Sequence, residues 1–386
     1  MTYNVDMYFL SSLTVRFLSW FIRTFKLGNG YTWPGHLVLK VFPNIWKSSK
    51  LHFGKGVVLI SGTNGKTTTA KLVSHLLGFA GYSVTTNASG ANLTNGILTS
   101  ILLRAGVFCG VRDDFAVFEV DELYLPFALQ RMSPTHLVLT NLSRDQLDRY
   151  GEIDTILSCW ESALCSIDLN LKIFLDVEAT NLLPLREHFP TENISFYGSS
   201  LDLLEKTALV GSFNAKNVNS AVLMAKEFGL NPSQIDQGLQ SFEPAFGRGE
   251  ILSKIGKTFY IFLAKNPASF NNNLNLLKGN FPDFDSILFL LNDEIPDGRD
   301  VSWIYDIDPV LLHEVCVNKR VFVGGSRGLD MEIRLNYAHV TDIVGDFGAT
   351  FTRDSLSKAE GESVVVLPNY SSMLEFRRVL LGKNIL

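Results

Sequence analysis

Nine consecutive residues, Ser61-Gly62-Thr63-Asn64-Gly65-Lys66-Thr67-Thr68-Thr69, have the make-up of a phosphate cradle. Glycine at 62 and 65 lets backbone N–H groups turn inward, and a helix starting at the same spot adds partial positive charge. Lys66 is placed to reach the terminal phosphates of a nucleotide and the Thr67 hydroxyl to hold Mg²⁺, with Thr63, Asn64 and Thr68 completing the loop. The first glycine of the general form G-x-x-x-x-G-K-[ST] would fall at Ile60, so this is a shorter variant. A Gly-Lys-Thr turn that merely caps a helix is the plainer alternative.

Such a loop needs a buried strand before it and an amphipathic helix after it. Val57, Val58, Leu59 and Ile60 form the continuous apolar run of a buried strand, and Val73, Leu76, Leu77 and Ala80 recur at helical spacing. Further runs at Phe115–Val120, Leu137–Leu139 and Ile173–Leu175 are separated by helix-length segments, which predicts a parallel sheet with crossovers. After Phe246-Gly247-Arg248-Gly249 a second series, Tyr260–Leu263, Ile287–Leu291, Val321–Val323 and Val364–Leu367, predicts another open α/β sheet. The expected organisation is an aromatic helical segment over 1–50, a central domain over 51–248 and a C-terminal domain over 249–386, the two domains facing each other across a hinge. His75 and His136 have no evident partner and are read as ordinary fold residues.

The 386 residues are enough for two or three domains at roughly 150 residues each. Apolar residues make up 46% and charged residues only 19%, with mean hydropathy +0.15, so the chain buries much of itself or keeps something greasy close. A net charge of −5 gives no broad positive field, which excludes a general nucleic-acid binder. The cysteines, Cys109, Cys159, Cys165 and Cys316, form no C-x-x-C pair, which excludes a disulfide framework or tetrathiolate zinc site and fits a reducing cytoplasm. From Met7 to Phe25 the chain is rich in Phe, Leu, Trp and Ile, yet Arg16 and Arg23 interrupt it short of the roughly 20 apolar residues of a membrane span. This segment is expected to pack its Leu and Phe face onto the domain; resting at lipid headgroups is the alternative.

The G-T-N-G-K-T-T loop resembles the ATP-binding loop of the Mur ligase and folylpolyglutamate synthetase superfamily, whose members make amides from carboxylates. Phe118-Glu119-Val120-Asp121-Glu122 and Thr140-Asn141-Leu142-Ser143-Arg144-Asp145-Gln146-Leu147-Asp148-Arg149-Tyr150-Gly151 are similar to its magnesium and phosphate segments. The resemblance implies an α/β fold: a central P-loop domain of Mur-ligase type with a parallel sheet, then a C-terminal Rossmann-like α/β domain. It implies ATP and Mg²⁺, with Glu119 joining Thr67 on the metal, a role that suits a carboxylate at a strand's C-terminal end. Glu119 and Asp121 as solvated loop carboxylates is the alternative. Gly211-Ser212-Phe213-Asn214-Ala215-Lys216-Asn217 matches the segment whose asparagines contact adenine, a role the resemblance gives to Asn214 and Asn217; helix N-capping is the other role open to them. Arg248, at the domain junction, stands where superfamily members place an arginine near the nucleotide phosphates, with Lys265 on the opposing domain. Either is otherwise a surface charge.

Gln146 occupies the place of a histidine found in many Mur ligases, and with Arg144 it narrows the resemblance to the MurT family, synthetase subunits of lipid II isoglutaminyl synthases. Leu263-Ala264-Lys265-Asn266-Pro267-Ala268, Leu291-Asn292-Asp293, Asp297-Gly298-Arg299-Asp300-Val301-Ser302-Trp303-Ile304-Tyr305-Asp306 and Leu367-Pro368-Asn369-Tyr370 are typical of that family. What this implies is ATP-dependent amidation of the D-glutamate α-carboxylate of lipid II to D-isoglutamine through an acyl phosphate. The ammonia would come from a GatD-like glutaminase subunit in a heterodimer, and Asp300 would complete the Cys-His pair of that glutaminase. Without the resemblance, D-G-R-D reads as a β-turn with an Asp-Arg pair. A lipid-anchored substrate implies a cytoplasmic protein at the inner face of the membrane, with peripheral membrane contact open. The four-cysteine zinc ribbon common in the family has no counterpart here, and only 13 residues lie between Tyr197 and Gly211, so no zinc is expected. Leu175-Asp176-Val177-Glu178-Ala179-Thr180 also departs from the family pattern. Two other functions stay open: a stand-alone amino-acid ligase of Mur or folylpolyglutamate type, and a nucleotide-gated binding subunit that does no chemistry.

Overall fold

The chain begins with two helices, Thr2–Thr24 and Trp33–Val41, and then alternates strands with helices. This computed structural model describes residues 2–28, 30–87, 91–143, 153–167, 170–244, 246–279, 281–295, 297–341 and 343–382. β1 (Gly56–Ser61) leads into the helix Lys66–Phe79, β2 (Val84–Thr86) into Thr94–Arg104, β3 (Phe115–Glu119) into Leu125–Met132, and β4 (His136–Leu139) precedes Ile153–Leu164. β5 (Lys172–Asp176) and β6 (Ile194–Tyr197) complete a sheet of order β2-β3-β1-β4-β5-β6 in which every pairing is parallel. β1 is buried at all six positions because it lies inside the sheet with an apolar layer on each face. Leu59 and Leu137 point into one layer with Ile97, Leu98 and Trp160; Val58, Ile60 and Val138 point into the other with Leu72, Leu76 and Val218.

The second sheet is built from β7 (Arg248–Lys254), β8 (Lys257–Phe262), β9 (Ser286–Leu290), β10 (Arg320–Gly324), β11 (Ile343–Asp346) and β12 (Ser363–Pro368). Its order is β11-β10-β9-β12-β8-β7, parallel except for β7, which runs antiparallel to β8. The expected α/β class and parallel sheets are therefore present, with an antiparallel edge added to the second. β2, β6, β7 and β11 escape the sequence reading for one reason: they are short or half-exposed edge strands without the continuous apolar run of a central strand.

The N-terminal helix corrects an expectation. It does pack against the helix Thr94–Arg104, with the Tyr8 hydroxyl donating to the Gly106 carbonyl at 2.7 Å and Arg16 donating to the Leu103 and Ala105 carbonyls at 3.1 and 2.5 Å. The packed face, however, is Tyr8, Ser11, Ser12, Val15 and Ser19, and the Leu and Phe face points to solvent. Periodicity tells which residues share a face, not which way that face is turned.

Candidate functional site

The loop after β1 has the shape its glycines allow. Gly62 (φ 130°) and Gly65 (φ 90°) occupy conformations that L side chains rarely adopt, and neither has room for a Cβ. A Cβ on Gly62 would lie 2.3 Å from Thr140 Oγ1, and one on Gly65 2.3 Å from Asn217 Oδ1. The strand C-terminus next door clasps the loop: the Thr63 amide donates to the Asn141 carbonyl at 2.8 Å, and the Asn64 amide to Asn141 Oδ1 at 3.0 Å. Thr140 Oγ1 and Asn141 Nδ2 both donate to the Asn64 carbonyl, at 2.7 and 2.9 Å. Thr63 Oγ1 donates to the Ser143 carbonyl at 3.1 Å. A loop so fastened presents its amides and the first turn of the helix, with Lys66, Thr67 and Thr68, in a fixed arrangement.

Lys66 is buried, with its ammonium curled back over the loop to the Gly62 and Thr63 carbonyls and paired with Glu122 Oε2 at 3.0 Å. Sequence alone gives Lys66 its role but assigns none to Glu122, which holds the lysine in place. Glu119 pairs in register with Ile60, two residues before Gly62. Its carboxylate is buried and Oε2 accepts no hydrogen bond, a costly state that a cation relieves. Arg248 lies within electrostatic reach of it: burial pushes the guanidinium below its ordinary value, and the Glu119 charge works in the opposite sense. Tyr370, from the second sheet's side, feels Glu119 as well; burial raises its phenol, and the charges of Glu119 and Asp297 add to the rise. An unpartnered carboxylate beside a side-chain-free, amide-lined cradle fits a divalent cation held with phosphates, with Thr67 and Glu119 as its protein ligands.

A cleft of about 520 Å³, counting space open to solvent, lies between the two sheets and brings together Asn64, Gly65, Thr68, Asn214, Asn217 and Arg248. Gly62, Thr63, Lys66 and Thr67 line the same loop. Asn214 and Asn217 are buried in the first turns of the helix Phe213–Glu227; Ser212 is the cap residue, so N-capping is not their role. Asn217 Nδ2 donates to Asn214 Oδ1 at 3.0 Å, and Asn214 Nδ2 to the Val210 carbonyl at 2.7 Å. Between them, Lys216 reaches Asp176 and Glu178 at 3.0 and 2.9 Å, which gives the departing 175–180 segment a purpose in anchoring this helix. Across the cleft, Asn266 Nδ2 donates to Asn64 Oδ1 at 3.2 Å while capping the helix Pro267–Lys278, and Lys265 adjoins that contact. Asp300 is not brought to this cleft. It is exposed, its Oδ1 accepts the Ser302 amide at 2.8 Å, and hydrogen bonds from Ser302 hold its carboxyl below the ordinary value. The segment Arg144–Gly151, with Gln146, lies outside the described residues.

Residues 60–162 match the Mur ligase middle domain and residues 263–373 the MurT ligase C-terminal domain. Lipid II isoglutaminyl synthase (glutamine-hydrolyzing) subunit MurT of Staphylococcus aureus (strain COL) is 28% identical over 408 residues, covering 88% of this chain and 90% of that protein. The chain belongs to the MurT family of Mur ligases. The MurT subunit of Streptococcus pneumoniae (strain ATCC BAA-255 / R6) is 27% identical, with 93% of this chain and 94% of that protein covered. Among solved structures, MurF ligase of Thermotoga maritima in complex with ADP superposes with a TM-score of 0.65 at 15% identity, over 88% of this chain and 82% of that one. Folylpolyglutamate synthase of Mycobacterium tuberculosis gives 0.64 at 16% identity, over 89% and 95%. At such identities the likeness is one of fold. Membership in the MurT family makes this chain a ligase. The sequence motifs contain Glu122, Asn266 and Tyr370 but give them no role: Glu122 and Asn266 meet the loop from 56 and 202 positions away, and Tyr370 lies within electrostatic reach of Glu119.

Proposed function

We propose that this chain is the synthetase subunit of a lipid II isoglutaminyl synthase, working in peptidoglycan biosynthesis with ATP and Mg²⁺. The observation that carries the reading is the Gly62–Thr68 cradle set beside a buried Glu119 whose Oε2 has no partner, in a cleft between two α/β units. In the reaction, an oxygen of the D-glutamate α-carboxylate attacks the γ-phosphorus of ATP, the bond to the bridging oxygen breaks, and ADP leaves. Ammonia then attacks the acyl carbon, phosphate departs with its oxygen, and nitrogen loses a proton to give the amide. Activation is needed because hydroxide and oxide leave too poorly for ammonia to displace them near neutral pH.

The chain's own residues divide this work. Loop amides and Lys66 stabilise charge developing on the transferring phosphoryl group, an electrostatic effect that burial strengthens. Bound Mg²⁺, on Thr67 and Glu119, would supply further charge neutralisation at the phosphates. Asn214 and Asn217 hold adenine, and Arg248 and Lys265 converge on the phosphates from the domain junction. Asp300, exposed and anionic, serves the catalytic histidine of a GatD-like glutaminase that docks as the second subunit of a heterodimer. The relatives named as MurT subunits support this assignment. On the same reading, a lipid-anchored substrate would put the protein in the cytoplasm at the inner membrane face.

The test is direct. Both subunits with lipid II, ATP and glutamine should convert the carboxylate to an amide by mass spectrometry, and Lys66→Ala should abolish the product while leaving the heterodimer intact. ATP turnover without amide overturns the reading, and loss of assembly alone would favour a gating subunit.

A further inference from the structure

The two N-terminal helices are turned inside out for a water-soluble protein. In Thr2–Thr24 the stripe against the protein is Tyr8, Ser11, Ser12, Val15 and Ser19, and the Ser11 and Ser12 hydroxyls are buried without a hydrogen-bond partner. The solvent stripe holds Leu10, Leu13, Phe17, Trp20 and Phe21, prolonged by Phe25 and Leu27; Phe17, Trp20 and Phe25 are 60, 59 and 59% exposed. Trp33–Val41 repeats the arrangement, with Pro34, Gly35 and Val38 inward and Trp33, Leu37 and Val41 outward. Gly35 sits so tightly that a Cβ would stand 1.9 Å from the Asn95 carbonyl oxygen. Packing through small residues with large apolar groups outside is how helices associate in lipid, whereas water disfavours it.

No described helix is long and apolar enough to cross a membrane, so the geometry that fits is a pair of helices lying in the interface. Charge selects the occupant. Residues 7–112 contain eleven Lys and Arg and no Asp or Glu, whereas the chain beyond residue 112 has 23 basic and 38 acidic side chains. Arg23, Lys26, Lys40 and Lys47 are exposed around the aromatic stripes, and Trp20 and Trp33 are the side chains that favour the headgroup level. A second copy would bring two positive faces together, which opposes pairing; a negatively charged, apolar-cored surface satisfies both features.

We propose that the face made by residues 10–28 and 30–41 docks on the anionic headgroup layer of a lipid bilayer, with Phe17, Trp20, Phe25 and Trp33 at the acyl boundary and Arg23, Lys26 and Lys40 at the lipid phosphates. The docked face lies one helix from the segment that carries Glu119 and Glu122: Gly35 rests on Asn95, and the carbonyl of Asn92, just before that helix, accepts the Asp121 amide at 3.1 Å. It deepens the membrane-face placement made above, yet it rests on the N-terminal residues and not on the reaction.

Flotation of the full chain with vesicles of phosphatidylcholine, alone or mixed with phosphatidylglycerol, tests this. The chain should rise with the anionic vesicles, remain behind with the neutral ones, be released by salt, and show a blue shift of tryptophan emission on binding. Phe17→Ser/Trp20→Ser/Phe25→Ser should lower partitioning about tenfold or more. Arg23→Gln, Lys26→Gln and Lys40→Gln should each lower it about fivefold at low salt. Circular dichroism and amidation of detergent-dispersed lipid II should match the parent, so a failed reaction and a failed docking are read separately. A parent that stays behind with anionic vesicles, or a triple serine variant or glutamine variants that float as well as the parent, overturns the proposal. So does a dimer in the analytical ultracentrifuge that the serine variant turns into a monomer, which would assign the face to a second copy.

Discussion

Lys66 and Glu122 bury opposite charges 3.0 Å apart, so losing one differs from losing both. Lys66→Met strands the Glu122 carboxylate and should destabilise the fold by about 3 kcal/mol. Lys66→Met/Glu122→Gln should recover most of that in urea titrations while staying inactive; a double variant as unstable as the single would show that the pair is not what holds Lys66. Gly65→Ala acts through space instead. Its methyl meets Asn217 Oδ1 at a φ of 90°, so a loss of about 1–3 kcal/mol and of nucleotide affinity by calorimetry is expected. Both glycines and Lys66 could be picked from sequence because the cradle is contiguous. Glu122 could not be assigned its role, since 56 positions separate it from Lys66 and only the side-by-side placement of β1 and β3 joins them.

At the scale of elements, legibility followed burial. β1, β3, β4 and β9 are buried throughout and carry continuous apolar runs, whereas β2, with two of three positions half-exposed, carries no such run. His136 opens β4 and was read as a fold residue; it sits between Phe174 and Phe228, its Nδ1 is 2.8 Å from Thr135 Oγ1, and burial lowers its pKa to about 4. The unfolded imidazole titrates near its ordinary 6.5, so folding excludes a proton. The contribution of neutral His136 is full above that value, declines as pH falls from there toward 4, and amounts to a loss of about 2 kcal/mol by pH 5. Urea midpoints at pH 7 and 5 should separate in the parent and draw together in His136→Phe. Equal separation in both would assign the acid sensitivity to other groups.

For the whole molecule, the decisive feature is distance between tasks. The cleft between the sheets gathers Asn64, Gly65, Thr68, Asn214, Asn217 and Arg248, and the Asn64–Asn266 amide contact spans it, a pairing 202 positions apart that no local pattern encodes. Asp300 stands outside the cleft on an exposed turn, with hydrogen bonds from Ser302 holding its carboxyl below the ordinary value. A residue so placed can matter to the proposed amidation only through another molecule. Asp300→Asn should therefore leave ATP binding and heterodimer formation at parental levels, abolish amidation supported by glutamine, and preserve amidation supported by added ammonium, assayed by the mass of the product. Loss of the ammonium-supported reaction would mean that Asp300 acts on the synthetase side after all. Retention of the glutamine-supported one would leave it no part in the partner's chemistry.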